Sequence, residues 1–438
     1  MMRLDLKEAL SSARDTRALE VGPDTIRGVP AFFREQFPRK KAMVVCDLTT
    51  WKVAGERIFQ DLQANGLAGT EPFVFPEKRP YAEFVNVLVL DEALKANDAI
   101  PVAVGAGTIN DLTKLSSSRN KRPYLCIATA ASMDGYTAYG ASISFEGNKQ
   151  TFSCPAPQAV LADIRIISEA PAPMTASGYA DLFAKVTAGA DWILADALGI
   201  EPIDQRAWAI VQNGLKRALA DPKGACEGKE EAIMPLVDGL ILGGFAMQWL
   251  QSSRPASGAE HQFSHLWNME HHTHQGEMPS HGFQVGVATL AVTRLYEKLL
   301  QSPIERLDVS SACSQWPEWE EQEATIREMF GQTDFLETAI TQSRAKYISR
   351  DGLAVQLKRL KDNWQAIRNR LSAQLVPSEE VRRKLMLVGA PTDPQEIGIS
   401  ADRMKMAFSR AQCIRSRFTI LDLAVQTGYL KQWLNEMV

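Results

Sequence analysis

A charge excess of either sign, long uninterrupted apolar runs and paired cysteines are all missing from this 438-residue sequence. Its 48 lysines and arginines stand against 52 aspartates and glutamates, for a formal net charge of -4, so there is no general basic field to attract nucleic acid. The six cysteines (Cys46, Cys126, Cys154, Cys226, Cys313 and Cys413) are scattered with no close pair. That spacing argues against a disulfide framework and a thiolate metal site. The opening residues Met1-Met-Arg-Leu-Asp-Leu-Lys-Glu8 reach charged side chains too soon for a signal peptide, so a cytoplasmic protein is expected. The most apolar later stretch, Met234 to Leu250, carries Asp238, Gly239, Gly243 and Gly244 and reads as a buried helix rather than a membrane span. With 45% hydrophobic and 23% charged residues the composition is that of a globular protein.

Histidine is scarce too, and its distribution is uneven. All six histidines (His261, His265, His271, His272, His274 and His281) fall within one stretch of the chain, 261–281. Composition alone gives no reason for this.

The first 170 residues alternate short apolar runs with longer helical segments. The runs Lys41 to Cys46, Pro72 to Phe75, Ala99 to Val104 and Tyr124 to Ala128 have strand length and continuous apolarity. Strands buried on both faces look like this, which predicts a mostly parallel, Rossmann-like sheet wrapped by helices. Ser142 to Cys154, with Gly147-Asn148 at its centre, carries a hairpin signal. Pro171-Ala-Pro173 marks a boundary. Beyond it Leu182, Val186, Ala190, Ile193 and Ala197 form a helical stripe ending at Gly199. The expected organisation is an α/β dinucleotide-binding domain over 1–170 and an all-helical metal- and substrate-binding domain over 171–438, with the active site in the cleft between them. Residues 315–385 are charged and helical, and nothing in them is assignable to chemistry.

Three local patterns bear on chemistry. Gly105-Ala106-Gly107-Thr108-Ile109 joins a strand to a helix start. Its glycines and unpaired amides fit either a phosphate cradle or an ordinary tight turn. Thr129-Ala-Ala-Ser132-Met-Asp134-Gly135 places small and hydroxyl-bearing residues at a strand's carboxyl end, the edge where open α/β sheets bind ligands. Asp47, closing the first strand, suits a ribose contact or a helix N-cap equally. For a metal, His261 and His265 stand four apart and share one face of a helix. His281 opens another amphipathic run, and Asp181 points away from the apolar stripe of its own segment. His271-His-Thr-His274 reads as a solvated loop.

Taken in order, Gly105 to Lys114, Thr129 to Gly135, Ser177-Gly-Tyr-Ala-Asp181-Leu-Phe-Ala-Lys185, Ser257-Gly-Ala-Glu-His261 and Pro279-Ser-His281-Gly282 resemble the sn-glycerol-1-phosphate dehydrogenases. These belong to the superfamily of iron-containing alcohol dehydrogenases and dehydroquinate synthases. Gly389 to Gly398 and Ile414 to Asp422 resemble the family's bacterial branch. The resemblance implies an active site with Asp181, His261 and His281 as ligands of one divalent metal (zinc, nickel or iron) and Asp134, Asp181 and His265 at the substrate. It places Asp47, Gly105, Ala106, Gly107, Thr108, Ile109, Thr129 and Ser132 along NAD or NADP. It also implies a small phosphorylated three-carbon substrate, a homodimer, and no nucleic-acid or membrane partner. Ala138 departs from relatives that carry a serine there. Alternatives on the same fold are a glycerol dehydrogenase and a dehydroquinate synthase-like lyase. A non-enzymatic metal protein or an iron oxygenase leaves the glycine turn and the parallel strands unexplained.

A carboxylate at Asp47 repels a ribose 2′-phosphate, so kcat/KM should be higher with NADH than with NADPH. Equal efficiencies in a side-by-side assay would refute that preference.

Overall fold

The computed structural model describes residues 4–77, 80–145 and 148–437. The chain forms two compact units. One comprises Met1–Leu182, Arg206–Ser253 and Leu387–Gly389; the other comprises Phe183–Gln205, Arg254–Met386 and Ala390–Val438.

Among the described residues the first unit has eight strands: β1 (Ala18–Gly22), β2 (Ala42–Asp47), β3 (Phe73–Phe75), β4 (Ile100–Gly105), β5 (Leu125–Ala128), β6 (Ala141–Phe145), β7 (Asn148–Phe152) and β8 (Ala159–Asp163). Six of them form one parallel sheet in the order β1-β8-β5-β4-β2-β3. The four runs expected to be strands are β2 to β5. β1 and β8 escaped notice because β1 is partly exposed with Glu20 in its middle and β8 runs directly into the helix Ile164–Ser168 with no turn residue between them. β6 and β7 pair antiparallel as the hairpin signal indicated, and Gly147 of its turn lies outside the described residues.

Every residue of β2, β4, β5 and β8 is buried. Val44, Val102, Val104, Ile127 and Leu161 pack into one core with Phe33, Ile58 and Leu62, each such side chain contributing about 1.5–3 kcal/mol by leaving water. Because the strands are parallel, Asp47, Gly105 and Ala128 all close their strands at the same sheet edge. The Thr129 amide donates to the Gly105 carbonyl (3.2 Å), tying the two central strand ends together.

The prolines at 171 and 173 flank the start of a helix, Ala172–Phe183. Proline is tolerated in a first turn because those amides have no helical acceptor. A second helix, Lys185–Ala197, follows after Ala184 and ends at Gly199, whose φ of +74° is the left-handed conformation that glycine supplies most readily. The single apolar stripe expected here understates the burial: residues 175–195 are buried on every side, Asp181 included.

The apolar stretch is the helix Glu230–Leu250. It is long and apolar enough to cross a membrane, yet most of its residues are buried within the protein. Its glycines permit close approach: a Cβ on Gly239 would stand 2.7 Å from Leu182 Cδ2, and one on Gly244 would overlap Thr137 Oγ1. Thr137 Oγ1 donates to the helix's Ile241 carbonyl (2.7 Å). In the second unit the helices Ala259–Met269 and His281–Gln301 pack against each other. Residues 315–385 are helical throughout much of their length, as expected.

Gly178 meets the loop after β5 so closely that an added Cβ would overlap the Ala131 carbonyl. Both partners are backbone, so neither can swing aside. Gly178→Ala should therefore destabilise the fold by about 2–3 kcal/mol or more, read as a lower denaturant midpoint. An unchanged midpoint would show that the contact is looser than described.

Candidate metal centre and dinucleotide edge

The helix Ala259–Met269 carries His261 in its first turn and His265 one turn later. Their ring centroids are 6.4 Å apart, whereas those of His261 and His281 are 5.3 Å apart. His261 is buried and its Nδ1 lies 2.8 Å from Glu260 Oε1. Glu260 is itself fully buried, accepting from the Gly258 amide (2.6 Å) and from Thr187 Oγ1 (2.7 Å). Burial pushes its pKa up, but the bonds from His261, Thr187 and Gly258 outweigh burial and hold it below the ordinary value. An ionised Glu260 only accepts, so Nδ1 of His261 carries the hydrogen and Nε2 keeps its lone pair.

His281 is fixed by a longer chain of the same kind. Ser280 caps its helix by accepting from the Phe283 amide (3.3 Å). His281 Nδ1 lies 3.3 Å from Ser264 Oγ, and Ser264 Oγ donates to Gln284 Oε1 (3.2 Å). Gln284 Nε2 donates to Asn268 Oδ1 (3.0 Å) and to the Pro279 carbonyl (2.9 Å). The amide orientation of Gln284 makes its oxygen the acceptor of the Ser264 proton, so Ser264 in turn accepts from Nδ1–H. Here too the hydrogen sits on Nδ1 and the lone pair on Nε2.

Asp181 lies near the end of its helix and accepts from the Asp134 amide (3.2 Å). Ser177 Oγ, one turn earlier, donates to the Ser132 carbonyl (3.4 Å). Asp181, His261 and His281 each offer one ligand atom, and these atoms all lie within 4.8 Å of one another. Donors about 2.0–2.2 Å from one ion stand roughly 3–4 Å apart, so shifts of about an ångström close the triad on a metal. One carboxylate oxygen and two imidazole nitrogens suit zinc, nickel or iron and leave positions for substrate oxygens.

At the sheet edge, Ala106 is the extended N-cap of the helix Gly107–Arg119, and no side chain caps that helix. Its opening amides can therefore serve an anion. The reason for Gly105 is internal, however. A Cβ there would stand 2.6 Å from Ile109 Cβ, so Gly105 and Ile109 lock together while Ala106, Gly107 and Thr108 line the turn. Asp47 caps its own helix, its Oδ1 accepting from the amides of Thr49 (2.8 Å) and Thr50 (2.7 Å). Of the two readings open for this residue, the cap is the one visible. Thr129 is buried and Ser132 half-buried in the loop after β5.

The sequence motif contained residues whose work was not legible in it. Asn110 Nδ2 donates to the Gly135 carbonyl (3.2 Å), and the buried Lys114 Nζ donates to the carbonyls of Gly135 (2.9 Å) and Gly140 (3.0 Å). Asp111 accepts from the Ser142 amide (3.1 Å). The polar face of this one helix holds the loop at Gly135, Gly140 and Ser142, just beyond Ser132 and Asp134. Glu260 and Asp191 were missed as well. Asp191, fully buried, accepts from Ala259 N (2.7 Å), Ile420 N (2.8 Å) and Tyr296 Oη (2.6 Å). Burial and the nearby Glu260 push its pKa up to about 7. The signal available was Gly258-Ala-Glu260-His261: a Cβ on Gly258 would stand 2.5 Å from Asp191 Oδ2 and 2.9 Å from Glu260 Oε2.

One expectation is corrected. His271-His-Thr-His274 is not simply a solvated loop, because His272 is buried, bonded through Nε2 to the Ile397 carbonyl (2.7 Å) and through Nδ1 to Arg403 Nη1 (2.7 Å). Burial lowers its pKa, as suits a neutral ring that accepts from arginine. His271 is exposed beside Asp334 (3.3 Å), and the His274 backbone pairs with Glu277.

A parallel sheet with a glycine turn, followed by helices bearing an Asp-His-His triad, defines a metal-dependent dehydrogenase of the iron-containing alcohol dehydrogenase class. The family model for iron-containing alcohol dehydrogenase matches residues 20–171. The fold is shared with an NADH-dependent butanol dehydrogenase from Thermotoga maritima, at a TM-score of 0.59 and 13% identity over 96% of each chain. The glycerol-1-phosphate dehydrogenase of Halalkalibacterium halodurans is 34% identical over 293 residues, 66% of this chain and 72% of that protein. That of Geobacillus thermodenitrificans is 30% identical over 386 residues, 87% and 86% of the two chains. The chain belongs to the glycerol-1-phosphate dehydrogenase family.

Carboxylates behind metal-ligating histidines typically account for about 10- to 100-fold in metal affinity. Glu260→Gln keeps the shape and removes the charge, so it should weaken zinc binding about tenfold in a competition titration against a chromophoric chelator. Unaltered affinity would show that Glu260 serves the fold alone.

Proposed function

We propose that this chain interconverts dihydroxyacetone phosphate and sn-glycerol 1-phosphate with NAD or NADP, at one divalent metal held by Asp181, His261 and His281. The observation that carries this reading is the convergence of that triad in a family member. It favours an alcohol dehydrogenase that works through a Lewis acid. When bound, the divalent ion supplies the Lewis acid for the substrate's oxygens and the reduced nicotinamide supplies the hydride.

The chain's own residues do the rest. Glu260 and the Ser264–Gln284 chain present both imidazoles by their Nε2 atoms, so no rotation is needed when the site fills. Gly105 to Ile109 and Thr129 to Ser132 line the strand edge that receives the dinucleotide, with Asp47 at the adjoining strand end. The uncapped helix start at Gly107 takes the pyrophosphate. Asp134 and His265 contact the substrate, and His265, one turn from His261, delivers the proton to the substrate oxygen as the carbonyl is reduced, or accepts it in the reverse direction. The protein is cytoplasmic and works as a homodimer on a small phosphorylated three-carbon substrate, without nucleic-acid or membrane partners.

Oxidation of NADH should require both dihydroxyacetone phosphate and metal. It should disappear after chelation and return with zinc, nickel or iron, and Asp181→Asn should lose both metal and turnover. Activity on dihydroxyacetone alone would move the reading to a glycerol dehydrogenase, and substrate conversion without net change at 340 nm would move it to a lyase. His265→Ala should lower kcat about 100-fold or more with metal content intact, and full turnover in that variant would remove the proton-transfer role.

A further inference from the structure

None of the residues assigned so far binds the substrate's phosphate group. The chain 414–419 runs alongside the first turn of the His261 helix. Gln262 Nε2 donates to the Arg417 carbonyl (3.2 Å), Thr419 Oγ1 donates to Gln262 Oε1 (3.5 Å), and Arg417 Nη1 donates to the Ser257 carbonyl (2.7 Å) at the start of the histidine motif. Arg415 is extended, with φ of -143° and ψ of 141°. The chain bends at Ser416 and Arg417, so the two arginines stand on either side of one turn of the chain. Their charges act on each other, and the charge of Glu260, which orients His261, acts on Arg417.

Three arginines meet around this segment, and their surroundings differ. Arg254 is fully buried and internally committed: Nε faces Glu201 Oε2 at 3.2 Å, Nη1 donates to the Phe418 carbonyl and Nη2 to the Asp191 carbonyl. Arg417 is braced by the Ser257 carbonyl, and burial together with Arg254 pulls its pKa down to about 10. Arg415 has neither kind of support. No carboxylate or carbonyl among the described residues bonds its guanidinium, and its side chain is open to solvent. The protein around it still desolvates it enough to lower its pKa. An exposed guanidinium with no counter-charge bonded to it among the described residues has its donors available to an incoming anion.

We propose that Arg415, flanked by Arg417, is the subsite for the phosphate of the three-carbon substrate. The planar fork of the guanidinium matches phosphate oxygens two at a time, and the neighbouring charge of Arg417, which acts on that of Arg415, adds to the attraction for a dianion. Arg417, held at Ser257, ties the pair to the loop that leads into His261. This inference rests on the proposed reaction and adds the residue that separates a phosphorylated ketone from its unphosphorylated counterpart.

The test is Arg415→Gln, assayed with metal-loaded protein on dihydroxyacetone phosphate and on dihydroxyacetone. The ratio of the two kcat/KM values should fall about thirtyfold or more, mainly through KM for the phosphorylated ketone, and Arg415→Lys should recover part of it. A merely structural role would depress both substrates alike and leave the ratio unchanged, which would overturn the proposal. If the unaltered protein does not turn over dihydroxyacetone phosphate, the proposed reaction falls. The subsite is then judged by calorimetric titration with inorganic phosphate: loss of binding in Arg415→Gln supports it, and equal binding overturns it.

Discussion

An imidazole has two nitrogens, and a metal needs the lone pair of one while the other carries the hydrogen. The site depends on how that choice is made at His261 and His281. At His261 it is made by a buried carboxylate one residue away, and at His281 by a hydroxyl whose own proton is committed to Gln284. Both arrangements need burial, since water would offer either nitrogen a competing partner. The dense packing of the Ala259–Met269 and His281–Gln301 helices is therefore part of the chemistry as well as of the fold.

Burying Glu260 beside Asp191 carries a cost that the local backbone offsets. Gly258 lets the chain pass between the two carboxylates, its amide donates to Glu260, and the Ala259 amide donates to Asp191. These are opening amides of the histidine helix, where the helix dipole favours negative charge. Tyr296 and the Ile420 amide complete the shell of Asp191. In the first unit a similar economy operates with opposite charge, as the buried Lys114 spends its donors on the carbonyls of the loop that carries Ser132 and Asp134. The motif Gly105 to Lys114 thus combines two features: an uncapped helix start, proposed above to receive the dinucleotide, and a polar face that shapes the neighbouring loop.

Much of this was legible in the sequence, for identifiable reasons. β2, β4 and β5 are continuous apolar runs, and burial on both faces leaves that mark. The buried helix Glu230–Leu250 betrayed itself by charge and glycine inside an apolar stretch, and Gly199 marked its helix end. Asp181, His261 and His281 were named from ordered motifs as the proposed metal ligands, and their ligand atoms lie within 4.8 Å of one another. Other features left no such mark. β1 carries Glu20 at its centre, and β8 passes without a turn into the helix Ile164–Ser168. Asp181 looked like a residue off the apolar stripe because its helix is buried all round, and no one-sided pattern describes that. His272 sat among histidines that read as solvated, yet its environment comes from Ile397 and Arg403, more than a hundred residues away. Glu260 and Asp191 are acidic residues whose surroundings appear only in the fold, which sets Glu260 behind the His261 imidazole and Asp191 against the Ala259 and Ile420 amides.

The central claim is that one metal sits against Asp181 and the Nε2 atoms of His261 and His281, with the Nδ1 atoms held behind. The most direct measurement is an anomalous difference map at the zinc edge from crystals of the zinc-loaded protein. It should show one strong peak per chain about 2.0–2.2 Å from an Asp181 oxygen and from both Nε2 atoms. A peak on the Nδ1 side of either ring, or zinc bound at His271 to His274 with the triad empty, would contradict it.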